Sequence, residues 1–492
     1  MHVISTTMLD DGDVKVKLWH TSGQLDPEIT VKCCFVAKGQ QDEGTFLSVV
    51  FESPDSGVFP LARVNLKMKL PTEVDDISIV EQSVPELLNL IAHSPERGDD
   101  DDPFFVADLG DIIHKYETWL RLLPRVKPFY AVKCCPEPVV LRLLESLGVN
   151  FDCASKSEIR AIEAICPDAP KRIIFANAIK MKGHLKYAAK KNIDLMTFDC
   201  IEELIKIKEI YPEARAVLRI KIDNEECVSE LGKKFGATLK TVPDLLEKAK
   251  DLGLNLVGVS FHVGSGCGDL NAYKRAISDS KWVFEEAKSY GYNMKLLDIG
   301  GGYPGDDSAS VKFVDVARVI NEALDKHFPV GCNIDIIAEP GRYFVSSAFT
   351  LCVNIICKKT EQIVDNNGKT SVKNHYHVNE GVYGSLNCVT YEHRTLLPYP
   401  LKKRVEEKLI RSTIWGPTCD SMDEITDCDL PELKTEDWLV FDNVGAYTIS
   451  AFSGFNGFER PHIYYSSTSF YRPYLTKNGV EKNVYMEEQI SK

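Results

Sequence analysis

The sequence lacks any apolar stretch long enough to cross a bilayer. Its longest, near Ala348–Cys357, is broken by Thr350 and Asn354 and falls short of the ~18 apolar residues that a spanning helix needs. An excess of basic residues is also missing: 58 Lys and Arg stand against 72 Asp and Glu, for a formal charge of −14. An acidic chain without a basic block argues against nucleic acid as the main partner. The opening residues, MHVISTTMLDDGD, carry no basic segment ahead of an apolar core, so no secretory leader is expected and the chain is read as cytoplasmic. CxxC, HExxH and GxSxG patterns and histidine clusters are absent, which leaves metalloprotease and serine-hydrolase chemistry unsupported and no metal site expected. The 15 cysteines are scattered, with vicinal pairs at 33/34 and 134/135. Buried reduced thiols are the simplest reading of them.

What is present has a clear order. Residues 1–76 read as a β-rich N-terminal extension with short runs at Val14–Trp19, Ile29–Val36, Phe46–Phe51 and Ala62–Leu70. Residues 77–107 form a lead-in expected to join a later β domain, and Gly98–Pro103 within it is an acidic turn. Over 108–347, eight short apolar strands (129–133, 149–153, 172–176, 193–198, 215–221, 254–262, 294–299 and 334–339) alternate with stretches of helical periodicity. Eight such units in about 240 residues predict a (β/α)8 barrel, with a doubly wound open sheet as the alternative. From Ala348 the pattern turns to β runs at Leu351–Cys357, His375–Asn379, Leu409–Trp415, Trp438–Phe441 and Ile463–Tyr465. These predict a mainly β domain over 348–475, followed by a polar tail, 476–492.

Active sites of such barrels form at the C-terminal ends of the strands. Those ends carry Lys133, Asp152, Asn177, Arg219, His262, the glycines 300–302 and Glu339. Each has a bland explanation when taken alone. Lys133 could snorkel to the surface, although Schiff-base chemistry wants a buried lysine of lowered pKa. LLDIGGGYPG permits close backbone approach and exposes N–H groups as phosphate binding requires, but three glycines also make a turn. Glu339 and Arg342 in AEPGRYF could form a local salt bridge, and His262 in FHVGSG could be a satisfied core histidine.

Taken together, YAVKCC, FDCAS, FHVGSGC, DIGGGYPG, AEPGRY, VYGS, WGPTCDSMD and GAYT stand in the order seen in the eukaryotic ornithine decarboxylase family. That family belongs to the pyridoxal-phosphate-dependent decarboxylases of alanine-racemase fold. The resemblance covers about 78–475, and WGPTCDSMD is its most telling part. It implies pyridoxal 5′-phosphate as cofactor, held as a Schiff base by Lys133. It implies Glu339 on the pyridine nitrogen, His262 against the ring face, and Asp152 and Arg219 supporting the linkage. Gly300, Gly301, Gly302, Ser265, Arg342 and Tyr447 are implied as the phosphate site. Cys419 is implied as the acid that reprotonates the substrate carbon, reaching the partner's site across a two-fold homodimer. Tyr383, Tyr391, Glu392, Asp420 and Phe455 are implied around the substrate, with core packing the close alternative for Phe455. Glu392 departs from the Asp usual in the family. The implied reaction is decarboxylation of L-ornithine to putrescine, with arginine or lysine as alternative substrates. A catalytically silent relative like the antizyme inhibitors is the alternative of another class. The resemblance also implies antizyme docking through 176–205, where Lys180, Lys182, Lys186, Lys190 and Lys191 form a basic island. A solvated helix face explains those lysines equally well.

Overall fold

The computed structural model describes residues 79–471, apart from 81, 98–100, 223–230, 307–308, 365–367, 369, 403–407 and 468–470, together with the backbone of strands between residues 2 and 64. The acidic turn therefore lies partly, and the polar tail wholly, outside the described residues. The chain divides into two compact units, Met1–Ser78 with Lys482–Lys492 and Ile79–Glu481. In the first, His2–Met8, Asp13–Trp19 and Ile29–Lys32 form one antiparallel sheet. Cys34–Gln41, Gly44–Val50 and Ala62–Val64 form another.

The second unit holds the closed barrel that the alternating pattern predicts. Its strands are β1 (Val126–Ala131), β2 (Asn150–Cys153), β3 (Ile173–Phe175), β4 (Leu195–Phe198), β5 (Arg215–Arg219), β6 (Asn255–Ser260), β7 (Leu296–Asp298) and β8 (Asp335–Ala338). All neighbours are parallel, and β8 closes on β1 with Ile336 opposite Val126. An open sheet is thereby excluded. Phe129, Ile174, Ala176, Leu195, Val217 and Ile337 pack together in its core. The outer helices bury one stripe each: Asn271–Ser289 covers Ala272, Tyr273, Ala276, Ile277, Val283, Phe284 and Ala287, the spacing of a helix with one apolar face. Because each strand is followed by a helix that returns the chain to the opposite end, all eight strand C-termini gather at one mouth.

The β domain is built on β9 (Phe349–Val364), whose first seven residues are buried. The apolar run near Ala348 is thus a sheet strand, and among the described residues no helix is long and apolar enough to cross a membrane. β10 (Thr370–Val378) pairs antiparallel with β9. β11 (Ile410–Trp415) and β12 (Glu424–Leu430) extend the sheet on that side, while β13 (Trp438–Phe441) also pairs with β9. Strand Phe104–Asp108, which precedes the barrel, lies between β9 and β14 (His462–Ser466). Leu87, Leu88, Ile91, Phe104, Val106, Cys352, Trp438 and Val440 form a second core. Sequence reasoning missed β12: its EITDCDL alternates polar and apolar residues, and the charges hide a half-buried strand.

Candidate active site

Lys133 sits in a single 3-10 turn, Val132–Cys134, at the exit of β1. Its neighbour in the barrel, β2, places Asp152 beside Ala131, and the Asp152 carboxylate is fully buried. The two side chains form a short ion pair. The Lys133 side chain as a whole is 41% exposed, while the Asp152 carboxylate that meets its amine is fully buried. Burial alone would lower the Lys133 pKa. The Asp152 carboxylate, helped by Tyr447 and Glu339, more than reverses that and holds it above the ordinary value. The expected lowered pKa is therefore corrected: without a cofactor the amine stays charged because its acid partner is in contact.

On the other side of β1 lies a second acid site, at the exits of β8 and β7. Asp298 ends β7 and Glu339 follows β8; both are buried. Burial pushes Asp298 up to about 7, and a hydrogen bond to Glu339 opposes that shift. Glu339 is pushed well above the usual carboxylate range by burial, then by Asp298 and Asp152. Two adjacent buried carboxyls cannot both ionise cheaply, so the pair holds a proton. Sequence reasoning singled out Glu339 and overlooked Asp298, although it stands two residues before the glycine run.

The glycines explain how these loops come together. A Cβ on Gly300, whose φ is +62°, would lie 2.0 Å from the Phe261 carbonyl oxygen. One on Gly301 would lie 2.8 Å from His262 Nε2. The run is needed for the β7, β6 and β8 exits to touch, and Glu339 N–H donates to Gly300 O at 2.6 Å. His262 Nδ1 accepts from Gly264 N–H at 2.9 Å. Burial, then Arg219 and Lys133, holds the imidazole well below its usual pKa. It is neutral, and with Nδ1 accepting, the proton is on Nε2. Arg219 ends β5, its guanidinium 5.0 Å from the Phe235 ring.

Arg342, at the start of a short turn after β8, donates weakly to Ser265 Oγ at 3.4 Å and lies 5.1 Å from the Tyr447 ring centre. Tyr447 has φ +53°, a strained conformation for an aromatic residue. It is fixed by its N–H donating to Cys134 O at 3.0 Å. Arg342 also makes a short ion pair with Glu392.

The remaining residues form a separate group. Tyr383 OH donates to Asp420 Oδ2 at 2.6 Å, and its ring lies 4.6 Å from that of Phe455. Cys419 is exposed, with its N–H donating to Asn456 Oδ1. Among the described residues no hydrogen bond or ion pair joins this group to the Lys133 cluster. The structure thus splits the expected substrate set, with Glu392 on Arg342 and Tyr383, Asp420 and Phe455 elsewhere; Tyr391 is exposed. Asp423 organises the second group. Buried, it accepts from Val382 N–H, Thr418 N–H and Thr418 Oγ1, tying the Cys419 loop to the Tyr383 loop.

The basic island is also corrected. Lys180 is buried, paired with Glu203 at 3.0 Å and donating to the Thr197 and Asn177 carbonyls. Lys191 pairs with Glu163, while Lys182, Lys186 and Lys190 are exposed on helix Lys182–Lys190.

The residues of the mouth fit a phosphorylated pyridine aldehyde. A proton-holding acid pair suits a ring nitrogen, the Lys133 amine suits a carbonyl carbon, and Arg342 with Ser265 suits a phosphate. Asp152 Oδ1 is buried without a hydrogen-bond partner, as expected of an atom that faces a polar ligand.

Comparison with known proteins points the same way. A family described as "Pyridoxal-dependent decarboxylase, pyridoxal binding domain" matches residues 109–346. Ornithine decarboxylase of Mus musculus is 48% identical over 390 residues, 77% of this chain and 84% of that one. Antizyme inhibitor 2 of Xenopus laevis is 48% identical over 398 residues, 80% and 87% of the two chains. The crystal structure of the Paramecium bursaria Chlorella virus arginine decarboxylase superposes with TM-score 0.71 at 36% identity, covering 77% of this chain and all of that one.

Proposed function

Because the chain belongs to the ornithine-decarboxylase-like pyridoxal-dependent decarboxylases, we propose that it decarboxylates a basic amino acid, L-ornithine to putrescine before arginine or lysine. The single observation that carries this is the mouth shared by the Lys133–Asp152 ion pair and the buried carboxyls of Asp298 and Glu339. When bound, pyridoxal phosphate would accept the electron pair left by departing CO2. Lys133 would hold the cofactor covalently, with Asp152 in contact to take the proton that the amine must release. Glu339, backed by Asp298, would pair with the ring nitrogen and favour its protonated form, and His262 would pack on the ring. Arg342, Ser265, Tyr447 and the Gly300–Gly302 loop would hold the phosphate. Cys419, exposed beside Asp420, Tyr383 and Phe455, delivers a proton to the substrate carbon of a second copy's site, where Asp420 binds the distal ammonium. A homodimer with shared sites follows from that division of labour.

Purified protein should release CO2 from ornithine faster than from lysine, arginine or diaminopimelate assayed side by side, and borohydride should fix the cofactor on Lys133. Labelling of a different lysine, or release from none of the four, would overturn the proposal.

The equal identity to antizyme inhibitor 2 supports a second reading, a binding protein that turns over no substrate. Retention of Lys133, Asp152, Arg219, His262, Glu339, Cys419 and Asp420 favours the enzyme. Under either reading, antizyme docks on the helix bearing Lys182, Lys186 and Lys190. Reversing the charges of Lys186 and Lys190, or raising salt, should weaken that binding.

A further inference from the structure

Glu137 lies four residues after Lys133, at the N-cap position of helix Pro138–Ser146. An acidic side chain there normally turns back to accept from the first helical N–H groups. This one makes no capping hydrogen bond. Its carboxylate, buried with the residue 9% exposed, faces the β domain instead. Arg460 Nη2 donates to Glu137 Oε2 at 2.9 Å, and Tyr465 OH donates to Oε1 at 2.8 Å. Tyr465 is on β14, hydrogen-bonded in the sheet beside Phe104–Asp108. Both donors are more than 320 residues away in sequence. The short segment between Lys133 and Glu137 is held along its length as well. Cys134 O accepts from Tyr447 N–H, and Cys135 O accepts from Tyr130 OH at 3.0 Å. A buried carboxylate with one charge-assisted and one phenolic donor is a stiff anchor, since losing it would leave the buried Tyr465 hydroxyl without its acceptor.

We infer that Glu137 is a positioning residue for Lys133: through it the β domain fixes the turn that carries the reactive amine. The inference rests on the reading of Lys133 as the residue that holds the cofactor. It predicts that barrel and β domain are coupled at the amine itself, beyond their general packing. Small displacements of a reacting group are costly, about a hundredfold in rate for an ångström.

The test uses full-length Glu137→Ala, Glu137→Gln and Tyr465→Phe proteins. Cofactor affinity is read by absorbance titration, kcat and KM are measured separately, and unfolding is followed by heat. The rate of Lys133 acylation by an amine-directed reagent is read peptide by peptide on cofactor-free protein. Glu137→Ala is expected to lose about tenfold or more in cofactor affinity and kcat, with KM nearly unchanged, and to change the Lys133 acylation rate but not that of Lys186. Glu137→Gln, which keeps an acceptor for Tyr465, should recover most of the loss. A Glu137→Ala protein that melts earlier but keeps cofactor affinity, kcat and Lys133 acylation within about twofold would overturn the inference. If that variant does not fold, Tyr465→Phe decides on the same readings. If wild-type protein takes up no cofactor, the functional reading fails, and the acylation rates still decide whether Glu137 positions Lys133.

Discussion

The carboxylate of Glu392 closes on the guanidinium of Arg342 within the barrel mouth, and Asp420 is engaged elsewhere by Tyr383. An anion arriving at Arg342 must compete with Glu392, so phosphate binding would release that acid toward the substrate. If Glu392 then reads the length of the bound amino acid, Glu392→Asp should raise the ornithine-to-arginine ratio of kcat/KM by about tenfold, the usual worth of one methylene. Steady-state kinetics on both substrates checks this; an unchanged ratio removes Glu392 from the specificity argument.

The separation of Cys419 from Lys133 makes a mixing experiment informative. Lys133→Ala and Cys419→Ala proteins should each be inactive. Mixed in equal amounts and allowed to exchange, they should recover roughly a quarter of wild-type activity, because half the dimers are mixed and each mixed dimer has one intact site. Exchange proven by mass without recovery would refute a shared site.

The acid pair gives a pH dependence with a definite sign. Asp298 titrates near 3.8 in an unfolded chain and near 7 in the fold, so the folded state binds the extra proton between those values. Stability from this group is full below its unfolded pKa and is lost as pH rises through the folded one. The melting temperature of cofactor-free protein should therefore fall between pH 5 and 8 by more than that of Asp298→Asn. Bound cofactor, placing a protonated ring nitrogen against the pair, should flatten the slope. Parallel slopes for wild type and Asp298→Asn would count against the shared proton.

Burial lowers Lys180 to about 8, with Glu203 opposing the shift. Glu203→Ala leaves that buried lysine without its carboxylate and should cost about 3–5 kcal/mol in chemical unfolding. Replacing both partners, as Lys180→Met with Glu203→Leu, should cost less than the single change. A single change below 1 kcal/mol would show that the lysine relaxes to solvent.

The barrel was legible because each strand is a short, nearly continuous apolar run, the pattern of a strand buried on both faces. Lys133, Asp152, His262 and Glu339 were legible as site candidates because they stand where those runs end. Burial and pairing were not. A lysine count cannot tell that Lys180 points inward while Lys186 points out, and nothing local to Asp298 says that Glu339 will lie against it. The division between Glu392 and Asp420 depends on how the β-domain loops fold, which hydrophobic periodicity does not encode. β12 escaped for the same reason: its register against β11, not its own composition, makes it a strand.

Strand Phe104–Asp108 has its neighbours in β9 and β14. During synthesis it emerges before the barrel, yet its second neighbour begins only at His462, some 350 residues later. At roughly 5–20 residues per second the ribosome takes about 20–70 s to supply it. All eight barrel strands, ending at Ala338, are made well before His462 and can close during that interval, whereas the sheet that carries Arg460 and Tyr465 to Glu137 cannot. Birth of the chain therefore has an order: the amine of Lys133 exists on a formed barrel before the anchor that steadies it, and a chain released early would have the mouth without its brace.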